Sequence, residues 1–220
     1  MYFLLIANSW ILVCATIGFL WGVYQFFRNK GPLYAQIIVC GIACMMIDRL
    51  FQVIYILTQG EMKLGFDVAL LSLAGAFLFL FSANYGQIDS LVDDGDRRFI
   101  PTRITALIAP VIMLGLFSIP FFAVDVLNIR VGLIIMVIVV LPCCYYSLKH
   151  IIIFDVNDGL VKPLRPFNTL VLIYSVFVCL EFITEYLNMT YLYLAAAFIQ
   201  GLIILFLVPV VRKGVKRWTI

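Results

Sequence analysis

The sequence predicts an all-α polytopic membrane protein with seven transmembrane helices, and three observations carry that prediction. The chain of 220 residues is 65% hydrophobic and 12% charged, more apolar than a soluble domain of that size can hide. Its apolar residues gather in seven long stretches with short loops between them, and about 20 apolar residues are what a helix needs to cross the hydrocarbon core. The stretches are apolar on every face, whereas barrel strands would alternate. Lipid offers the backbone no hydrogen-bond partners, so such stretches must be helices.

The first helix is expected at 2–27. No charged n-region and no small-residue cleavage site marks the start, so it reads as a retained helix rather than a signal peptide. Gly31-Pro32 ends the first turn and opens a second helix at 33–58, which Gly60 stops. The third is expected at 67–90, ahead of Asp94-Gly95. The fourth, 101–124, carries Pro110 and Pro120, and the fifth, 130–153, carries Pro142. These prolines mark kinks, as does Pro209 in the seventh. Asp158-Gly159 and Lys162-Pro163 punctuate the next loop, and Asp155 to Gly159 reads as a turn. The sixth helix is placed at 166–188 and the seventh at 190–214. Ala197 and Gly201 form a small-xxx-small step on the seventh, a face for close packing. Loops of at most about 10–15 residues leave no room for a soluble domain, so residues 1–220 form one unit.

Loop cations set the orientation. Arg28 and Lys30, then Arg97, Arg98 and Arg103, then Lys149, Lys162 and Arg165, and finally Arg212, Lys213, Lys216 and Arg217 place 12 cations on one side. The other side holds only Lys63 and Arg130. Short-loop Lys and Arg stay cytoplasmic, so the N-terminus is expected outside and the C-terminus inside. The basic tail is expected to rest on anionic lipid headgroups. Tyr2, Trp10, Tyr186, Tyr191 and Tyr193 suit the outer interface and Trp218 the inner one. Helices 1–3 and 5–7 could form parallel repeats about helix 4, since the second helix of each half carries an acid, Asp48 or Glu181.

Charged groups inside a bilayer are costly and need partners or a watery cavity. Helix 2 carries Asp48 and Arg49, with Gln52 and Tyr55 on the face of Asp48. Helix 6 carries Glu181, Thr184, Glu185 and Asn188 at i, i+3, i+4 and i+7, one stripe. Arg49 and Glu181 lie about equally deep from their helix starts, and Gln200 on helix 7 falls near the same level. Asp48, Arg49, Gln52, Glu181, Thr184, Glu185 and Gln200 are therefore the candidate ligand-binding residues, in a pocket among helices 2, 3, 6 and 7 open to the outside. The alternative is an Arg49–Glu181 ion pair that only fixes packing. Three acids against one Arg point to a cationic or hydrogen-bond-donating ligand, or a proton.

A second polar zone runs from Ser82, Asn84, Tyr85, Gln87 and Asp89 into Asp93-Asp94-Gly95-Asp96-Arg97-Arg98. The expected reading is a helix end and a solvated turn, its acids pairing with Arg97 and Arg98, rather than a Mg²⁺ site. Cys143 and His150 share a face of helix 5 but stand about 10 Å apart along its axis, too far for direct contact. The six cysteines, Cys14, Cys40, Cys44, Cys143, Cys144 and Cys179, lie inside apolar runs and read as buried thiols. A single His excludes bis-His haem ligation. No mid-membrane Lys on helix 7 is available for a retinal Schiff base, and HExxH, Gly-rich phosphate loops and GxSxG are absent. Neither an enzyme nor a cofactor is expected, and no nucleic-acid partner.

The Arg28-Asn29-Lys30-Gly31-Pro32-Leu33-Tyr34 turn, the aromatic third helix (Phe77, Phe79, Phe81, Tyr85) and the basic exit after helix 7 resemble the seven-helix sensor modules that precede bacterial histidine kinases and diguanylate cyclases. With no kinase or cyclase read after Ile220, the expectation is signalling through a partner or loss of the output domain. The resemblance implies a ligand-sensing or regulatory protein of a bacterial plasma membrane that signals through a cytoplasmic or membrane partner, with the bilayer and a small ligand or ion as its other partners. A small transporter, proton-coupled or not, and a non-catalytic subunit of a membrane complex are the alternatives.

Overall fold

A computed structural model describes residues 2–62, 65–85, 89, 93, 95–153, 162–187 and 189–218, with the side chains of 216–218 outside the description. Lys63, Gln87, Asp94, Asn188, the turn at Asp155–Gly159 and the Trp218 side chain therefore lie outside the described residues. Among the described residues all regular structure is helical. Six helices are long and apolar enough to cross a membrane: α1 Tyr2–Phe27, α2 Leu33–Gln59, α4 Arg97–Ala123, α5 Leu127–Ile152, α6 Arg165–Tyr186 and α7, whose apolar part is Thr190–Val215 and which continues to Trp218. A shorter apolar helix, α3, spans Val68–Asn84. This is the composition and length pattern of an integral membrane protein.

Local chemistry explains the boundaries. Pro32, extended at ψ 148°, precedes α2, since its ring suits a helix start and not a helix interior. Gly60 ends α2 at φ 81°, the left-handed cap that glycine adopts without a Cβ clash. Asp67 caps α3, its Oδ1 accepting from the Leu70 N–H at 2.9 Å. α1 finishes in a π-helical turn, Val23–Phe27, which no pattern in the sequence announced.

The third helix is described as α-helix over Val68–Asn84, with Tyr85 and Asp89 in π-helical conformation and the rest of 86–90 outside the described residues. One sequence expectation is corrected. The fourth helix is not continuous. It begins as a 3-10 turn at Arg97–Phe99, becomes helical at Ile100–Ala106, and restarts at Ile108–Ala123 across Leu107. Pro110 supplies no N–H to the Ala106 carbonyl, and its ring crowds that carbonyl. Pro120, Pro142 and Pro209 lie inside helices that are not interrupted.

The helices close into a ring. α1 packs on α2 and α7, α2 on α3, α3 on α5, α5 on α6, and α6 on α7. α4 lies outside, against α5 and α6. The order puts α1–α3 and α5–α7 on opposite halves of the ring. Phe77 and Tyr174 fill its middle, ring centroids 5.7 Å apart, among buried Leu80, Met136, Val140 and Val178. Gly201 lets α7 approach α1: a Cβ there would collide with Trp10 and lie 3.1 Å from Cys14 Sγ. Trp10 stacks on Phe198 at 5.0 Å and donates its indole N–H to the Phe198 carbonyl. Trp10, expected at the outer interface, is thus a packing residue, while Tyr2 and Tyr191 are exposed. All six cysteines are free thiols.

Candidate functional site

Arg49 is the hub of a buried polar cluster at the end of the ring that holds Asn8 and Gly60. Asp48, Arg49, Gln52 and Glu181 are each at most 5% exposed. The guanidinium meets Glu181 at two points, Nη1 to Oε1 and Nη2 to Oε2, the latter at 2.7 Å. Nη1 also donates to Asn8 Oδ1 at 2.9 Å. Nε lies 3.1 Å from Asp48 Oδ2 on its own helix. A planar fork with fixed donors suits this two-sided recognition.

Glu181 takes further donors. Gln200 Nε2 reaches Oε2 at 2.7 Å and the Phe177 carbonyl at 3.1 Å. The Tyr193 hydroxyl donates to Oε1 at 3.2 Å and accepts from Asn8 Nδ2 at 3.0 Å. The cluster therefore ties α1, α2, α6 and α7 together. Each charge sits beside a counter-charge or a dipole, as burial in a low dielectric demands.

Beside this hub lies a cavity of about 40 Å³, lined by Asp48, Arg49, Gln52, Asp67, Glu181 and Glu185, with Met62, Gly65, Leu70, Leu73, Phe182 and Tyr186 completing the wall. A water needs roughly 10–15 Å³ on this measure, so the space suits a proton with a few waters or one small cation, not an organic molecule of several rings. Among the described residues Glu185 makes no hydrogen bond or ion pair, and it lines the cavity beside Asp48, Arg49 and Glu181.

Five of the seven candidate residues line this space. Two do not. Thr184 turns its hydroxyl back to the Leu180 and Glu181 carbonyls at 2.8 and 3.1 Å, the usual local bond of a helical Thr. Gln200 stands behind Glu181 and supports it. The walls come from α2, α3, α6 and the loop before α3, not from α7. Sequence reasoning missed Asn8, Tyr193 and Asp67. Tyr193 was placed in the outer aromatic belt but is 2% exposed and faces Glu181. Asn8, a lone polar residue on an apolar helix, was the available signal.

A second network occupies the opposite end. Lys149 Nζ contacts Asp89 Oδ1 at 2.6 Å and Asp93 Oδ2 at 2.7 Å. Arg103 pairs with Asp93 through Nη2 and, at 2.8 Å, through Nε. His150 Nε2 lies 3.1 Å from Asp89 Oδ1, and its Nδ1 lies 3.4 Å from Asn84 Oδ1. This corrects one expectation. Asp93 is not a turn acid neutralised by Arg97 and Arg98; among the described residues it pairs with Arg103 and Lys149, while the exposed Asp96 pairs with Arg98 at 3.3 Å. His150 is fully buried. Hydrogen bonds from Arg103 hold the Asp93 carboxyl well below its ordinary range against the upward push of burial, and Lys149 adds to them. Burial raises Asp89, but the hydrogen bonds and charges of His150 and Lys149 outweigh it and leave it low. Among the described residues no three His, Cys, Asp or Glu side chains are grouped to hold a metal ion.

Comparison with protein-family models, with curated proteins and with solved structures finds no match to this chain.

Proposed function

We propose that the chain is a non-enzymatic, seven-helix sensing or regulatory protein of a bacterial plasma membrane, N-terminus outside and C-terminus cytoplasmic, whose outer cavity takes a proton or a small monovalent cation. α3 is the seventh span in this reading, and the one-sided loop cations give the orientation. The observation that carries the ligand class is the cavity itself: about 40 Å³, with Asp48, Glu181 and Glu185 around it and one guanidinium to offset them. Arg49 gives Nη1 and Nη2 to Glu181 and Asn8, and its Nε lies against Asp48. One guanidinium thus serves two carboxylates while Glu185 has no ion pair of its own among the described residues, an excess that a low-dielectric site relieves by taking up positive charge. The plug of Phe77 and Tyr174 between the two polar ends favours a sensor over a transporter, because transport needs a route past the ring's middle. The basic exit after α7 is where a cytoplasmic partner would read the state of the bundle.

The test uses protein purified into lipid nanodiscs and, in parallel, into sealed liposomes. Sodium, ammonium and choline chlorides are titrated at pH 5 to 8, with binding read by calorimetry and flux by an internal indicator. The expected result is saturable uptake of a proton, sodium or ammonium, exclusion of choline, loss in Asp48→Asn and Glu185→Gln, and no flux. Accumulation in liposomes would instead establish a transporter. No uptake at any pH would leave the cluster a packing device and favour the subunit reading.

A further inference from the structure

α4 and α5 diverge around an apolar groove of about 290 Å³, lined by Leu114, Phe117, Ser118 and Phe121 of α4 and by Leu133, Ile134 and Val137 of α5, among others. α4 lies outside the ring and presents Leu114, Ile119 and Phe122 outward. A groove of this kind in a membrane protein is filled by something apolar, and its rim narrows the choice. Apart from Ser118 the lining is apolar, which suits a hydrocarbon chain.

The rim is charged. Arg130 lies with its guanidinium carbon 5.6 Å from the centre of the Phe121 ring, one of the rings that line the groove. Its Nε donates to the Val124 carbonyl at 2.6 Å and its Nη2 to Asp125 Oδ1 at 2.9 Å, while the Asp125 side chain is fully exposed. Two of its nitrogens thus fix the fork from the protein side, at the hairpin between α4 and α5. A fixed guanidinium beside an apolar slot is complementary to a phosphate joined to an acyl chain.

We propose that this groove is a site for one membrane phospholipid, with an acyl chain between α4 and α5 and its phosphate on Arg130. The site adjoins the polar cavity. Phe117, a groove residue, packs its ring 6.1 Å from that of Phe182, a cavity residue. An acyl chain in the groove bears on that two-ring wall, a link to sensing that rests on the cavity being the ligand site. The lipid site itself does not.

The experiment is native mass spectrometry of protein extracted from vesicles of phosphatidylethanolamine and phosphatidylglycerol and washed in detergent, followed by titration of phosphatidylglycerol back onto the delipidated protein. The expected result is one tightly retained phospholipid, with affinity reduced at least tenfold in Arg130→Gln and retention lost in Ser118→Phe, which fills the groove. A melting temperature near wild type in lipid-free detergent shows that each variant is folded; if Ser118→Phe is not, Ile134→Phe replaces it. Equal retention in all folded variants overturns the site. Loss in Ser118→Phe with no effect of Arg130→Gln overturns the phosphate contact. A dimer that Ser118→Phe dissociates overturns the lipid as occupant. None of these readouts depends on cation uptake by the cavity, so failure of one proposal is distinguishable from failure of the other.

Discussion

Arg49 of α2 and Glu181 of α6 form a two-point ion pair, both side chains about one-twentieth exposed, between helices that are not adjacent in the ring. Removing one partner strands the other in a low dielectric. Arg49→Leu leaves both Asp48 and Glu181 without a cation and should cost about 3–5 kcal/mol. Glu181→Leu should cost less, because Asp48 and Asn8 still hold the guanidinium. The double change should be less damaging than the sum of the singles. Unfolding in mixed micelles measures all three, and strict additivity would show that the two are uncoupled.

Tyr193 and Asn8 should matter although both look ordinary in the sequence. Tyr193→Phe removes one donor from Glu181 and one acceptor from Asn8, an expected loss of about 1–3 kcal/mol for buried groups. A change below a few tenths of a kcal/mol in the same unfolding assay would show that the hydroxyl is not part of the cluster.

Gly201 is the point of closest approach of α7 to α1. Gly201→Ala drives a methyl into Trp10 and should break the Trp10–Phe198 stack. The expected cost is about 1–3 kcal/mol, whereas Gly115→Ala, with open space around its Cβ position, should cost little. Thermal melts of the two variants side by side check this.

The carboxyls of Asp89 and Asp93 lie below their ordinary values in the folded chain. The unfolded chain therefore binds more protons near and below pH 4, so these groups stabilise the fold at neutral pH. That stability is complete above about pH 5 and is lost as pH falls through the depressed folded values. Denaturation midpoints from pH 3 to 7 should rise with pH, and the rise should flatten in Asp93→Asn. An unchanged slope in the variant would remove Asp93 as its source.

Orientation is checked by single-cysteine labelling. In a background without the six native cysteines, Val215→Cys should resist an impermeant thiol reagent in intact cells, and Asp125→Cys should react. The reverse pattern inverts the topology.

The sequence by itself determined the helical class, because apolar runs of that length leave the backbone no other way to satisfy its polar groups in lipid. It placed the start of α2 at Pro32 and its end at Gly60, since these residues act on the backbone wherever they occur. It also brought Arg49 level with Glu181, because depth along a helix is simple arithmetic and a mid-bilayer charge must find a partner. Rotation of each helix about its axis was not legible, and rotation decides the site. It carried Thr184 to its own helix's carbonyls and Gln200 behind Glu181, and it turned Tyr193, an apparent belt residue, inward. It also brought Lys149 and His150 onto Asp89, and Asp93 onto Arg103 and Lys149. In helices apolar on all sides no stripe marks the inner face. Only packing of the whole ring, with α4 pushed outside it, chose which residues meet.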